Sequence, residues 1–362
     1  MTTQKSMLAD RPDQYARLGL TNEIQQFEDG LRTDPSQKGA FEWWYFDSHL
    51  ADGAKLVVIF YTKNAAVPNV GLEPLVSINL DLPDGRTLDK NAKFSPAQFS
   101  SSKDQCDVRI ADNRFTGDLH TYSIKASVED VSVDVTLTGI TPPWRPKTGY
   151  TVYGDDESEY FAWLPSVPYG NVTVTYTVDG TSTTTTGNGY HDHNWGNVPM
   201  ASILNNWYWG RGAIGPFTFI SAYMTAEKKY GYATNSEIML ARDGKVIADD
   251  GTKLTFTKQQ IAVDEPTGKP VADITTYDYR DGDTRYVLTY TREKTILRVK
   301  FIDTLHGIQR VAAHLIGFDG AYLRFSGNLE LKHYEGDELV ETYTAPAIWE
   351  LMYFGKVEHE QQ

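Results

Sequence analysis

The sequence predicts an all-β protein, built as sandwiches or barrels, on three observations. Short runs that alternate apolar and polar residues recur along all 362 residues. Turn dipeptides punctuate them at Asp52-Gly53, Asp84-Gly85, Asp179-Gly180, Asp243-Gly244 and Asp281-Gly282. Helical periodicity is confined to Asp13–Leu18 and a short turn near Pro199–Leu204. Regular short strands between frequent turns are the pattern of all-β domains.

Taken in order, the strand signals begin with Lys55–Thr62 and Val76–Leu82, the latter closed by Pro83-Asp84-Gly85. Val131–Leu137 follows. Asn171–Val178 alternates apolar with polar, turns at Asp179-Gly180 and returns through the threonine-rich run Thr181–Thr186, which reads as a hairpin. Further strands are read at Thr218–Met224, Glu237–Ala241, Tyr286–Arg292, Thr295–Phe301 and Leu323–Tyr334. Thr141–Tyr169, rich in proline, glycine and aromatics, reads as a long ordered loop, a type of segment that commonly covers a cavity. The domain boundary is expected at Asn197–Asn205, giving a polar extension over 1–30 and domains over 31–200 and 201–362.

Composition narrows the partners. A net charge of -14 and a pI near 5.0 argue against nucleic acid or an anionic membrane surface. Apolar runs such as Leu56–Tyr61 are far too short to span a bilayer, so no transmembrane segment is expected. The N-terminal residues contain no apolar signal core, and the single cysteine, Cys106, fits a reducing compartment. A cytoplasmic location is therefore expected for the sequence as given, with secretion open if a leader has been removed. Cys106 itself reads as part of a polar loop without a histidine nearby, a poor nucleophile.

Two clusters concentrate the chemistry. Tyr190-His191-Asp192-His193-Asn194-Trp195 mixes acid, base, amide and ring, a combination that a core tolerates only when every polar group is partnered. In an extended chain His191, His193 and Trp195 share one face, and Tyr190, Asp192 and Asn194 the other. Phe41-Glu42-Trp43-Trp44-Tyr45-Phe46-Asp47 divides likewise, Glu42, Trp44 and Phe46 opposing Trp43, Tyr45 and Asp47. Asn206-Trp207-Tyr208-Trp209-Gly210-Arg211 then opens the second domain.

Three chemistries suit these residues. His-x-His is a common metal pair, but every third ligand available (Glu42, Asp47, His306, His314) is remote in sequence, so no metal is expected. A carboxyl walled by tryptophan loses hydration and rises in pKa, which suits a general acid. Asp192, Glu42 and Asp47 qualify, with histidine to hold or relay the proton. The bland reading is that these groups satisfy one another and the backbone. The chain lacks a nucleophile elbow, a phosphate loop and a dinucleotide fingerprint, so no organic cofactor is expected.

Phe41-Glu-Trp-Trp-Tyr-Phe-Asp, Gly189-Tyr-His-Asp-His-Asn-Trp-Gly and Trp207-Tyr-Trp-Gly-Arg, in this order and spacing, resemble the carotenoid 1,2-hydratase/AttH-like family. That family includes hydroxyneurosporene synthase, kievitone hydratase and fungal decalin-forming Diels–Alderases. The resemblance runs from about Phe41 to about Tyr353 and implies two lipocalin-like (calycin) β-barrel or β-sandwich domains with a ligand cavity at their interface. It also implies cofactor-free chemistry on hydrophobic substrates. Relatives often carry Trp-Asp-His where His191 here precedes Asp192, which leaves the substrate open.

Three functions are then carried forward. In the first, Asp192, or Glu42 in its place, protonates an isolated isoprenoid double bond. His193 and Asn194 orient acid or water, and Trp43, Trp195, Trp207 and Trp209 shield the cation. Tyr45, Asp47, Tyr190 and His191 complete the substrate wall. In the second, a pericyclase folds a polyene and polarises a carbonyl through Arg211, Asn194 or Tyr223. In the third, the protein carries a pigment or lipid unchanged. All three take a hydrophobic small molecule as partner.

Overall fold

The computed structural model describes residues 5–301, 319–355 and 357, so His306 and His314 lie outside the described residues. Strand accounts for 63% of the described residues and helix for 7%, in two curled antiparallel sheets of half-barrel form. The all-β expectation holds. Contacts divide the chain into two compact units, one of Leu8–Met200 and one running from Ala201.

In the first unit eleven strands form one hydrogen-bonded path: Thr87–Lys93, Leu75–Asp81, Lys55–Tyr61, Phe41–Leu50, Thr181–Gly196, Glu159–Val178, Val131–Gly139, Thr121–Val128, Asn113–Gly117, Cys106–Ile110 and Phe99–Ser101. The path passes over Tyr150–Tyr153 between Val131–Gly139 and Glu159–Val178, and its one long-range jump, where Phe41–Leu50 pairs with Thr181–Gly196, joins the two sequence clusters. Alternate residues of each strand point into a core that contains Trp44, Phe46, Ile78, Tyr122 and Val135. The hairpin at Asp179-Gly180 has φ of 51° and 77° at its two turn residues, the paired positive values of a type I′ turn.

Residues 8–30, set apart in the sequence as a polar extension, belong to this unit. Pro12–Leu18 is helical, and the 3-10 turn Gln26–Asp29 buries Glu28 and Asp29. Arg145 holds the segment down: its Nε donates to Glu28 Oε2 at 2.7 Å, and its guanidinium also donates to the carbonyls of Thr21 and Lys147.

Thr141–Tyr169 departs from the loop expectation. Tyr150–Tyr153 and the first half of Glu159–Val178 are strands, and Phe161, Ala162 and Trp163 pair with Gly196, Trp195 and Asn194. Pro165 and Pro168 disguised the strand. They fall where the register shifts, between Leu164 and Val167 and between Val167 and Gly170. Irregular pairing of this kind tolerates a residue without an N–H.

The second unit orders nine strands as Lys245–Ala248, Thr234–Arg242, Phe217–Ala226, Leu204–Ile214, Glu338–Tyr353, Ala321–Glu335, Thr284–Lys300, Lys269–Asp281 and Leu254–Asp264. Tyr208, Phe219, Tyr277, Leu288, Phe325 and Trp349 contribute to its core. Tyr286–Arg292 and Thr295–Phe301, read as two strands, are largely one strand, with irregularities between Arg292 and Lys294 and between Thr295 and Leu297.

The pairing of Phe41–Leu50 with Thr181–Gly196 depends on close backbone approach at Gly187. A Cβ there would stand 2.1 Å from the His49 carbonyl oxygen, which only movement of the strand could relieve. Gly187→Ala is expected to cost about 2 kcal/mol, read as a lower urea midpoint at unchanged slope. An unchanged midpoint would show that the two strands separate freely at this point.

Candidate active site

Register decides which cluster residues meet. Trp43 opposes Asn194, Tyr45 opposes Asp192 and Asp47 opposes Tyr190; between them Glu42 opposes Trp195, Trp44 opposes His193 and Phe46 opposes His191. Directly opposed residues of antiparallel strands project to the same side. The combined motif therefore presents two separate faces, as the alternation predicts.

The inner face holds the histidines in a buried network. His191 Nδ1 lies 2.8 Å from the Tyr45 carbonyl and Nε2 3.1 Å from Asp29 Oδ2. His193 Nδ1 lies 3.2 Å from the Glu28 carbonyl and Nε2 2.8 Å from Glu42 Oε1. A carbonyl oxygen only accepts, so each Nδ1 carries a hydrogen, and each Nε2–carboxylate contact needs a further proton between its partners. Trp44 stacks on His193 at 4.7 Å and donates from Nε1 to the Asp29 carbonyl.

Glu42 is fully buried and takes four donors: Arg32 N, Thr33 N, Thr33 Oγ1 and His193. All of its contacts lie within the fold, and they fix His193 in place. Burial alone would raise the Asp29 carboxyl. The adjoining His191, then His193 and the hydrogen bond from Tyr122, outweigh that and hold it below the usual range.

Cys106 corrects the loop reading. It is a buried strand residue, and its sulfur, an Asp29 oxygen and a His191 nitrogen lie within 4.8 Å of one another. The group takes His191 alone from the His-x-His pair and does not include His193. Burial pushes the thiol well up, and Asp29 Oδ2 hydrogen-bonds His191, while Asp29 Oδ1 is buried without a hydrogen-bond partner among the described residues.

The opposite face presents Asp192. Tyr190 Oη and Trp163 Nε1 donate to its Oδ2 at 2.7 and 2.8 Å, and Asn194 Nδ2 donates to Oδ1 at 2.8 Å. Desolvation raises this carboxyl to about 6 although the three donors, Tyr190, Trp163 and Asn194, each pull it down. Oδ2 is engaged twice and Oδ1 once, so the acid proton has room on Oδ1. Asp192 is 7% exposed, while Trp43 and Tyr45 on the same face are half-buried. Tyr45 Oη donates to Asp47 Oδ2 at 3.0 Å, and its ring meets Tyr190 edge-on at 6.2 Å.

The candidates thus separate. Asp192, Asn194, Tyr190, Trp43, Tyr45 and Asp47 come together on one face. Glu42, His191, His193 and Trp195 lie on the other, where Trp195 packs on His193 at 4.5 Å and donates to Tyr150 Oη. Trp207, Trp209 and Arg211 share one face of Leu204–Ile214 in the second unit. Tyr223 lies on the other face of that sheet, opposite Tyr208 and stacked on Phe256 at 4.0 Å, where it serves the core.

Sequence pattern does not single out Trp163 as the partner of Asp192, because its strand is broken by prolines. Glu28 and Asp29 are equally hidden, since nothing local marks the 3-10 turn as buried. The capping pattern Gln25–Glu28 was the one available signal.

With this geometry in hand, the Diels-Alderase-like family profile matches residues 24–304. The chain belongs to the Diels-Alderase-like family. It is 26% identical over 192 residues to the quinolone epoxide rearrangement protein asqO of Emericella nidulans, covering 50% of this chain and 53% of that one. It is 27% identical over 209 residues to a hydroxyneurosporene dehydrogenase of Chlorobaculum tepidum, covering 48% and 53%. The chain thus spans about half the length of the curated relatives it matches. Among solved structures a putative AttH from Nitrosomonas europaea superposes with a TM-score of 0.60 at 15% identity, covering 96% of this chain and all of that one. CghA gives 0.59 at 13% identity, over 99% and 100% of the two chains. Kievitone hydratase from Nectria haematococca gives 0.52 at 13%, over 88% and 91%. These likenesses establish the fold. No helix among the described residues is long and apolar enough to cross a membrane.

Two outcomes follow. Glu42→Gln breaks a buried pair with His193 and is expected to cost about 3 kcal/mol in chemical denaturation; a near-neutral effect would mean the pair carries no charge. Trp163→Phe removes one donor from the Asp192 carboxylate, so the Asp192 midpoint, followed by carbon-13 NMR, should move above about 6. Since 6 already exceeds the ordinary 3.8, the protonated carboxyl favours the fold at low pH. That contribution is lost as pH rises through the folded value, and Asp192→Asn should flatten the loss.

Proposed function

We propose that the protein is a cofactor-independent enzyme that protonates a hydrophobic alkene substrate through Asp192, adding water across an isolated C=C bond. The observation that carries the proposal is a carboxyl raised to about 6, with an under-used Oδ1, framed by Tyr190, Trp163 and Asn194. The π electrons take the Asp192 proton to form a C–H bond, leaving a carbocation on the more substituted carbon. Trp43 and Tyr45 offer ring faces toward that charge. Water attacks the cation, and its surplus proton returns to the Asp192 carboxylate, so the net change is addition of one water. Glu42 and His193 act behind the strand as positioning residues. They fix Trp44 and the backbone that carries Asp192.

A pericyclic cyclisation is the second reading, favoured by the family assignment and by a CghA structure that holds Sch210972. On that reading Asp192 keeps its proton and donates a hydrogen bond to a substrate carbonyl. A carrier that binds its pigment or lipid unchanged is the non-enzymatic reading.

Incubation of prenylated and polyene compounds in oxygen-18 water separates the three. Hydration puts one solvent oxygen into the product, cyclisation gives an unlabelled isomer, and carriage returns the compound intact. For the hydratase, kcat/KM should be level below about pH 6 and fall about tenfold per unit above it, because the protonated acid is the active form. Asp192→Asn should lower kcat at least about 100-fold. Full activity in that variant would remove Asp192 from the chemistry.

A further inference from the structure

The inner network of the first unit brings together three metal-ligating side chains that the Asp192 chemistry does not use. Asp29 closes the 3-10 turn Gln26–Asp29, Cys106 opens the strand Cys106–Ile110, and His191 sits on Thr181–Gly196. The turn is tied to the segment before Cys106. Leu31 N donates to the Ser102 carbonyl at 2.7 Å, and a Cβ on Gly30 would stand 2.7 Å from the Lys103 carbonyl. A carboxylate oxygen, the sulfur and an imidazole nitrogen lie within 4.8 Å of one another, and none of the three residues is more than 1% exposed. Ligand atoms around a tetrahedral zinc ion stand about 3.4 Å apart, so a contraction of at most about 1.4 Å closes the set on an ion.

Two further observations point to a ligand. His191 donates its Nδ1 hydrogen to the Tyr45 carbonyl at 2.8 Å, which leaves Nε2, on the Asp29 side, as the coordinating nitrogen. A carbonyl behind the far ring nitrogen is the outer partner that metal-bound histidines have. Asp29 in turn carries a surplus acceptor. Its Oδ2 accepts from Tyr122 Oη and meets His191 Nε2 at 3.1 Å, but its buried Oδ1 has no hydrogen-bond partner among the described residues. His193 Nδ1 stands 3.5 Å from Oδ1 and gives its hydrogen instead to the Glu28 carbonyl at 3.2 Å. An unmet buried oxygen costs free energy, and a coordinated cation removes that cost.

Charge balance selects a divalent ion. The thiol carries one proton, aimed at the Phe115 carbonyl, and a second lies between Asp29 and His191. One zinc ion displaces both and leaves thiolate, carboxylate and neutral imidazole, so the buried charge is unchanged. Calcium and magnesium take oxygen ligands and suit this set poorly. Three side chains leave one zinc position, which the second Asp29 oxygen or one water can take. We infer that Asp29, Cys106 and His191 form a structural zinc site that fastens the N-terminal turn to the strands behind Asp192. The ion lies on the face away from Asp192 and takes no part in proton transfer there.

The test counts metal in the full chain produced in zinc-supplemented medium, by elemental mass spectrometry, and repeats the count with cobalt as a spectroscopic stand-in. One ion per chain is expected. The cobalt form should show a thiolate-to-metal charge-transfer band in the near ultraviolet and the strong visible bands of a tetrahedral ion. Cys106→Ser, nearly the same size, should lower the metal content more than about tenfold and abolish the near-ultraviolet band. Asp29→Asn should lower the content likewise, with circular dichroism to check that each variant keeps its strands. His333→Gln is the control: His333 meets Glu335 and Glu341 in the second unit, and its loss should leave the count at one. An unaltered chain that takes up neither metal, a cobalt spectrum without the thiolate band, or a count that a folded Cys106→Ser leaves unchanged would each overturn the inference. The cobalt spectrum of the unaltered chain decides the matter even where a variant fails to fold.

Discussion

The antiparallel pairing of Phe41–Leu50 with Thr181–Gly196 is the constraint on which the rest of the first unit depends. It joins strands far apart in the chain, places His193 against Trp44 and Asp192 against Tyr45, and sorts twelve polar and aromatic side chains onto two sides of a single backbone layer. A one-residue slip would exchange the two sets and put Asp192 among the carboxylates of the inner network. The inner network supplies the resistance to such a slip. Glu42 with its four donors, and the contacts of His191 and His193 with Asp29, Glu28 and Tyr45, are all satisfied only in the observed register.

This division explains why carboxyls on the two sides of that strand pair have opposite characters. Asp29 sits beside the imidazoles of His191 and His193, which favour its charged form. Asp192, one strand layer away, has neutral donors that do not offset its burial, and it rises to about 6. A rigid frame around an acid raised toward neutral pH is what the proposed proton donation to carbon requires, since the donor must not relax as its charge appears. The histidines, the most conspicuous residues of the motif, serve the frame.

Much of this was legible in the sequence. Period-two alternation correctly placed Asp192 with Tyr190 and Asn194, and His191 with His193 and Trp195, because both strands are regular there. The Asp179-Gly180 hairpin was readable from its turn chemistry. What could not be read required partners from distant or irregular segments. Trp163 lies on a strand interrupted by Pro165 and Pro168, Asp29 on a polar segment that reads as an extension, and Cys106 on a short strand that looks like a loop.

The central claim is that Asp192 delivers its proton to a substrate carbon. The most direct measurement is turnover in deuterium oxide, followed by carbon-resolved NMR of the product. Proton transfer predicts one non-exchangeable deuterium on the carbon next to the new bond, absent when Asp192 is replaced by Asn. A product formed at full rate with no carbon-bound deuterium would contradict the account.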